Sequence, residues 1–460
     1  MNDYDEITPM RRKNANEYRE SPQRYAALFI YCYASAVSAI ICYSFFSITE
    51  AVNVAFNVTD RDVETLGIVF TLVTVPLYLP SAYIIEKYGM RSCMLWATGG
   101  TATAALLRLI APTNFALLYV TQIFAAVVYP IIQSAPATIG AIWFKAENRT
   151  TAVAVATVSC SLGVITAFWV PSAFVSGVEN DSTKSAQRIE NLVALEGALA
   201  LLCFILTIGL FQDRPEIPPS PTMAMRRVGD FKESLMMLAT SRDYLKVLFL
   251  TSIIVGIGHS FSVIIDPLFK EMDIGHSASK QAITLCIVSG AIGSAIWGYI
   301  VDRIKSFKTI ITTLSLSCII VMLLASFATT NVTIMVICIT LAGFTGVATV
   351  GLLFNLASEI CYPVSEAISL AVIFMTSLGA ASVLMVVARG LMEWGRADLV
   401  LVVFVGVYLV SVGVYVTSGE ELKRTIADRD LRCGKKFDGE ESVGLLTDDD
   451  DDASTRDSSF

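Results

Sequence analysis

The sequence contains little charge and almost no histidine. Asp, Glu, Lys and Arg make up 16% of its 460 residues, and there are two histidines. Its ten cysteines form no CxxC motif and no His/Cys cluster, and no P-loop or HExxH motif is present. The segment GHSFS at 258–262 lacks the last glycine of a nucleophile elbow. We therefore expect no enzyme, no metal site and no cofactor, and the missing P-loop argues against an ATP-driven pump.

Apolar residues, in contrast, occur in long runs. Hydrophobic residues make up 54% of the chain, and its mean hydropathy is +0.63. A helix needs about 20 apolar residues to cross about 30 Å of hydrocarbon, and twelve runs meet this requirement. The predicted spans are Ala26–Ile48, Thr65–Ile85, Ser92–Ala111, Phe115–Ala137, Thr151–Ser176, Asn191–Phe211, Lys246–Leu268, Gln281–Val301, Thr309–Thr329, Thr333–Phe354, Ala367–Val387 and Leu399–Thr417. The chain is predicted to be an all-α integral membrane protein that contacts the lipid bilayer.

A polar segment after the sixth span divides the spans into two sets of six. It contains DRPEIPPSP, whose prolines cannot continue a helix, so we predict two six-helix bundles with pseudo-twofold symmetry, as in major facilitator transporters. The predicted domains are a cytoplasmic tail (1–25), the N-terminal bundle (26–211), a cytoplasmic linker (212–245), the C-terminal bundle (246–417) and a disordered acidic cytoplasmic tail (418–460).

An internal repeat supports this division. The second span is followed by AYIIEKYGMR at 82–91 and the eighth by GYIVDRIKSFK at 298–308. Both resemble the loop motif of facilitator transporters, in which a small residue is followed by an acid and then by basic residues. Ala82, Glu86 and Lys305 depart from that motif. The alternative is ordinary cytoplasmic charge after a span.

The charge distribution predicts that both termini are cytoplasmic. With this topology, most of the 33 Lys and Arg residues lie on the cytoplasmic side, and the first 24 residues contain no cleavable signal peptide. Three glycosylation triplets, at Asn57, Asn180 and Asn331, fall on the outer side, and a fourth, at Asn148, falls inside.

Charged residues around the loop between spans ten and eleven predict a cytoplasmic gate. Glu366 begins span eleven, where a helix N-terminus favours negative charge, whereas Glu359 needs a basic neighbour. We expect one set of gate residues to be Glu86, Lys87 and Arg91 with Glu359 and Glu366, and the mirror set to be Asp302 and Arg303 with Glu147 and Arg149. The alternative is solvated charge that sets topology.

Polar residues at membrane depth are candidates for a substrate site. Gln122, Tyr129 and Gln133 lie near one face of span four, where they line a substrate path or bond to neighbouring helices. In span seven, His259 and Asp266 lie on one face of the helix. Both are candidates for proton coupling, and His259 is also a candidate for substrate binding. The alternative for His259 is a simple hydrogen-bonding role. Glu196 is a further proton-site candidate.

The stretches EICYPVSEAIS (359–369) and APATIGAIWFKAENRTTAVAVATVSCSLGV (135–164) resemble the feline leukaemia virus subgroup C receptor-related family, solute carrier family 49. The resemblance implies a major facilitator transporter of choline and ethanolamine, of haem, or, in a lysosomal branch, of pyridoxine. It also implies a cation–π cage, for which Tyr43 (beside Cys42, at the position of a family tryptophan) and Phe261 are the candidates here. Ser161 stands where the family has a glutamine.

The leading functional hypothesis is a secondary or facilitative transporter of a small organic solute. The alternatives are a proton-coupled endolysosomal exporter of a pyridoxine-like metabolite and a non-transporting receptor with the same fold. Glu441, Leu445 and Leu446 fit an acidic dileucine signal for clathrin adaptors, so both the plasma membrane and the endolysosomal membrane are expected locations. We expect no nucleic acid partner.

Overall fold

The computed structural model of the chain describes residues 21–109, 115–178, 181–224, 231–271, 276–304, 306–327, 331–419 and 422–432, and every regular element in these ranges is helical. The helices are α1 (Gln23–Tyr43), α2 (Thr49–Phe56), α3 (Asp60–Arg108), α4 (Phe115–Gln133), α5 (Pro136–Trp143), α6 (Arg149–Val175), α7 (Ser182–Leu210), α8 (Pro221–Ala224), α9 (Phe231–Thr240), α10 (Arg242–Glu271), α11 (His276–Ile304), α12 (Phe307–Phe327), α13 (Val332–Ile360), α14 (Glu366–Glu393), α15 (Asp398–Val416) and α16 (Lys423–Arg432). A short 3₁₀ segment, Ser44–Ile48, joins α1 to α2.

Eleven helical segments of the described chain are long and apolar enough to cross a membrane. One of them, Thr65–Arg108, has 44 residues and is about 66 Å long at 1.5 Å per residue, twice the thickness of the hydrocarbon core. This segment contains the second predicted span and most of the third. The described structure therefore agrees with twelve crossings.

Gly89 allows α3 to contain two crossings. Its backbone has φ 80° and ψ 165°, a conformation that is outside the helical region and open essentially to glycine alone. The carboxylate of Asp213 lies against this bend and accepts a hydrogen bond from the backbone N–H of Arg91 at 3.0 Å. The bend separates the two crossings of α3 and carries the loop in which the first copy of the repeat lies.

Small residues let the helices pack closely. A Cβ added to Gly163 of α6 would lie 2.4 Å from the carbonyl oxygen of Ala36 in α1. In the C-terminal half, a Cβ on Gly343 of α13 would lie 2.1 Å from the carbonyl oxygen of Cys286 in α11. Such close backbone approach is typical of membrane helices, which associate by packing because lipid gives them no hydrophobic driving force.

The start of α10 and the end of α15 meet at the same end of the molecule as the linker. We call this end the linker face. The ammonium of Lys246, near the start of α10, donates to the carbonyl of Thr417 at 2.7 Å, and the N–H of Gly419 donates to Asp243 at 2.8 Å. The prediction of a disordered tail over 418–460 is wrong for Lys423–Arg432, because α16 is held against the linker and both bundles by buried polar groups. The residues of the predicted tail from 433 onward lie outside the described structure.

We predict that Gly89→Ala lowers the thermal unfolding midpoint of the purified protein. An alanine with this φ and ψ costs about 1–3 kcal/mol, and its Cβ would lie 2.7 Å from the carboxylate of Asp213. Gly379→Ala, where an added Cβ meets no atom within 4 Å, is the matched control and leaves the midpoint unchanged or slightly higher. Equal midpoints for the two variants would contradict this account of the bend.

Candidate functional site

A network of buried charges closes the linker face. Arg149, at the start of α6, donates to Glu359 of α13 at 2.9 Å and lies 3.7 Å from the carboxylate of Asp428 in α16. Arg424 of α16 is paired with Glu366, the first residue of α14. All five side chains are at least nine-tenths buried. An unpaired charge in this position would be strongly destabilising, so each member depends on its partners.

Arg424 stays charged in spite of its burial. Burial by itself lowers the pKa of this guanidinium, but the carboxylates of Glu366, Glu359 and Asp428 outweigh it, and the pKa is raised above its ordinary value. The neighbouring backbone takes part as well, because the N–H and hydroxyl of Thr425 both donate to Glu359, at 3.0 and 2.8 Å.

The acids of the two repeat copies bind the N-termini of helices in the opposite bundle. Asp302, near the end of α11, accepts hydrogen bonds from the backbone N–H groups of Thr150 and Thr151 at the start of α6, at 3.2 and 2.9 Å. In the pseudo-symmetric position, Glu86 accepts from the hydroxyl of Ser365, the N-cap residue of α14. Because the N-terminus of a helix carries partial positive charge, both contacts attract one bundle to the other.

These partners differ from the predicted ones. Sequence reasoning placed Glu86, Lys87 and Arg91 against Glu359 and Glu366, but in the structure Lys87 is exposed beside the rings of Tyr83 and Tyr88. Arg91 donates to the carbonyl of Ile208 in its own bundle at 3.4 Å, which leaves Glu359 and Glu366 to other bases.

The predicted mirror set is also arranged differently. Arg303 lies over the ring of Tyr299 at 5.2 Å, and Glu147 is exposed. Arg149 binds the carboxylates of Glu359 and Asp428 instead of that of Glu147. Of the predicted mirror set, Asp302 and Arg149 take part in contacts between the bundles, and both do so with other partners.

An aromatic layer separates the charged network from the centre of the bundle. The rings of Tyr78 in α3 and Phe374 in α14 stack with centroids 5.5 Å apart and planes 7° apart, and Phe354 packs against Phe374 at 5.2 Å. Phe374 lies about 12 Å along α14 from Glu366, and Tyr78 about 12 Å along α3 from Glu86. The three rings are buried and join the two bundles across their interface.

A second aromatic cluster, with polar groups, lies farther from the linker face. Phe70 packs edge-on to Tyr129 and to Tyr43, with centroids 5.2 and 6.1 Å apart. The Gln133 amide donates to the Tyr129 hydroxyl at 2.7 Å and to the Cys160 sulfur at 3.2 Å. Cys160 lies about 16 Å along α6 from its start. We call these five residues the midplane cluster.

The structure gives Gln122 a structural role rather than a place in this cluster. Its amide oxygen accepts from Arg108 at 2.6 Å, and its amide nitrogen donates to the carbonyl of Cys42, where α1 ends, at 3.1 Å. Arg108 also pairs with Glu196 at 3.4 Å and lies over the ring of Phe45. This buried clamp holds the break between α1 and the 3₁₀ segment, and it uses the predicted proton-site candidate Glu196 as one of its members.

Three of the remaining predicted site residues, His259, Phe261 and Ser161, are half-buried. In the C-terminal bundle, His259 and Phe261 of α10 are half-buried, and among the described residues His259 has no hydrogen-bond or ion-pair partner. The side chain of Asp266 lies outside the described structure. Ser161 is half-buried beside Cys160, and it is Cys160 that contacts Tyr129.

Some contributors were missed by sequence reasoning. Phe70 and Cys160 belong to apolar runs in which nothing distinguishes them from packing residues. Arg424 and Asp428 carry a signal, since their i, i+4 spacing puts both charges on one face of a short helix. Within the described ranges, no group of three His, Cys, Asp or Glu side chains is placed to hold a metal ion.

Two of the predicted glycosylation residues are exposed at one end of the molecule. Asn57, at the C-cap of α2, and Asn331, at the N-cap of α13, are exposed at the end opposite the linker face. Asn180 and the dileucine residues Glu441, Leu445 and Leu446 lie outside the described structure. The acceptor and sorting roles of these residues stay predictions.

We predict that Arg149→Gln destabilises the protein, because it leaves Glu359 and Asp428 buried without their base. Removing one partner of a buried ion pair costs about 3–5 kcal/mol, so the thermal midpoint falls. The double variant Arg149→Gln/Glu359→Gln recovers part of the loss, and Glu147→Gln, an exposed change in the same loop, is the control without effect. A midpoint for Arg149→Gln equal to that of Glu147→Gln would show that the network is not stabilising.

Comparisons with known proteins agree with this architecture. The choline/ethanolamine transporter FLVCR2 of Homo sapiens is 26% identical over 361 residues, 76% of this chain and 68% of that protein. Solute carrier family 49 member A3 of Xenopus tropicalis is 23% identical over 375 residues, 78% and 76% of the two chains. The transporter FucP in its outward conformation has the same fold, with a TM-score of 0.68 at 13% identity over 85% of this chain and 99% of that one. Residues 27–385 match the model of the Major Facilitator Superfamily, and the chain is a multi-pass membrane transporter of that superfamily.

Proposed function

We propose that the protein transports a small organic cation of the choline or ethanolamine class by alternating access, and that the midplane cluster binds it. The observation that supports this most directly is the grouping of the Tyr43, Phe70 and Tyr129 rings beside the amide of Gln133. A relative that is 26% identical carries the name choline/ethanolamine transporter. The grouping and the relative are independent lines of support.

The chemistry of the midplane cluster suits a cation that carries a hydroxyl group. Aromatic faces attract a quaternary ammonium by cation–π interaction, worth about 0.5–2 kcal/mol per favourable contact. The hydroxyl of Tyr129 and the amide of Gln133 offer donors and acceptors for an alcohol. Tyr43 supplies a ring next to Cys42, whose own side chain is buried and whose carbonyl accepts a hydrogen bond from Gln122.

The contacts between the bundles set the order of events in this proposal. The charged network and the aromatic layer close the path between the midplane cluster and the linker face. With both termini in the cytoplasm, as the charge distribution predicts, this arrangement is closed toward the cytoplasm. Substrate enters from the outer side, and release to the cytoplasm requires both layers to part. Each contact is non-covalent and reformable, as alternating access demands.

Uptake measurements test the proposed substrate class. Cells that express the chain are given labelled choline, ethanolamine, pyridoxine and haem in parallel, with vector-only cells as the baseline. We expect saturable uptake of choline or ethanolamine, inhibited by an excess of the other unlabelled amine. Uptake of pyridoxine or haem alone would replace the substrate class, and uptake of none of the four, by protein that reaches the cell surface, would favour the non-transporting receptor.

We predict that Tyr43→Ala raises the KM for the amine roughly two- to thirtyfold, the range expected for one lost cation–π contact. Tyr43→Phe keeps the ring and changes the KM by less than about twofold, since the ring face supplies this attraction. Phe29→Ala, which removes an exposed ring from the same helix, is the matched control with a normal KM. If Tyr43→Phe were as impaired as Tyr43→Ala, the ring face would not be the binding element.

We predict that Asn57 and Asn331 are glycan acceptors, because both are exposed at the end opposite the linker face. Asn57→Gln and Asn331→Gln each increase electrophoretic mobility by one glycan, and the double variant becomes insensitive to peptide N-glycosidase unless Asn180 is also modified. Asn148→Gln, at an exposed asparagine near the linker face, leaves the mobility unchanged. A shift caused by Asn148→Gln would reverse the proposed orientation.

A further inference from the structure

We propose that α16 is a latch: it holds the two bundles together at the linker face and must undock before that face opens. The inference rests on the proposed alternating access, and it adds a controlling element that the twelve crossings do not contain. The latch is defined by its docking contacts at Arg424, Thr425 and Asp428.

These three residues of α16 reach three separate parts of the molecule. Asp428 binds Arg149 of the N-terminal bundle at 3.7 Å and accepts from the backbone N–H of Thr222 in the linker at 2.9 Å. Arg424 binds Glu366 at the start of α14, and Thr425 donates to Glu359 at the end of α13. One short helix therefore bridges both bundles and the linker.

Glu359 makes α16 part of the contact between the bundles. One of its carboxylate oxygens accepts from Arg149 at 2.9 Å, and the other accepts from the N–H and the hydroxyl of Thr425. Separation of the bundles at this face breaks the first contact. Since Asp428 also binds Arg149, the bundles cannot part while α16 remains bound to both of them.

The docking of α16 is coupled to its folding. A ten-residue helix is marginal in water by itself, so α16 is helical because it is docked. Its outer side carries the exposed residues Ile426 and Arg429, whereas Arg424, Ala427 and Asp428 are buried. Undocking hydrates the charges of Arg424 and Asp428, which makes the docked state reversible and sensitive to single charge changes.

Cys361 is a native reporter of the latch. It lies at the C-cap of α13 and is buried, with its thiol donating to the carbonyls of Ser358 and Val364 at 3.6 Å. Burial, reinforced by the charge of Glu366, raises the pKa of this thiol to about 12. Because the thiolate is the reactive form, Cys361 stays unreactive while the linker face is closed and gains reactivity when it opens.

The test measures alkylation of Cys361 by N-ethylmaleimide in membranes, quantified by peptide mass spectrometry with buried Cys338 as the internal reference. The variants are Arg424→Ala and a chain that ends at Gly419, and the matched control is Arg429→Ala on the exposed side of α16. We expect the rate at Cys361 to rise at least tenfold in both variants and to be unchanged in the control.

Several outcomes would overturn the latch. They are unchanged labelling of Cys361 in both variants when each elutes as a monodisperse protein, a truncated chain that no longer folds, and equally fast labelling in the Arg429→Ala control. A latch has to be separable from the fold, so misfolding on truncation counts against it. Because the readout needs no substrate, a failure of the choline or ethanolamine proposal leaves this test intact.

Discussion

The closed linker face depends on one constraint, that a charge removed from water must keep a partner. Arg149 shows this most clearly, since it is buried between Glu359 and Asp428, which come from a crossing helix of the other bundle and from the C-terminal helix. A buried ion pair adds little net stability compared with an apolar contact. The buried ion pairs specify one relative position of the two bundles, because a displaced bundle would leave several buried charges without partners at the same time. The closed arrangement is therefore well defined without being permanent.

The pseudo-symmetry of the fold provides the second part of this closure. Glu86 and Asp302 occupy corresponding places after the second and eighth crossings, and each binds the start of a helix in the opposite bundle. A carboxylate against a helix N-terminus contributes about 0.3–1 kcal/mol at an exposed site and more when partly buried. Two such contacts flank the ion pairs of Arg149 and Arg424. The closed face thus joins repeated, moderate interactions instead of one strong bond.

Polar residues deeper in the bundle divide into two roles. Gln122 is fully engaged by Arg108 and by a carbonyl at the break in the first crossing, so it shapes the path without lining it. Gln133 lies on the same helix and contacts Tyr129 and Cys160 in the midplane cluster. The same residue type therefore serves the framework in one place and the proposed binding site in another. Spacing along the helix does not distinguish these roles.

The sequence by itself determined the membrane class, the twelve crossings and the repeat, because apolar length and loop charge are local properties of the chain. It also identified most of the residues at the linker face. Only the tertiary structure decided their partners: Glu359 meets Arg149 and not Arg91, and the midplane cluster takes Cys160 and not Ser161. These choices depend on the rotation of each helix and on which bundle lies opposite. The helix at 423–432 was missed for a related reason: a mostly polar segment of ten residues is marginal as an isolated helix and becomes helical against the surface that pairs its charges.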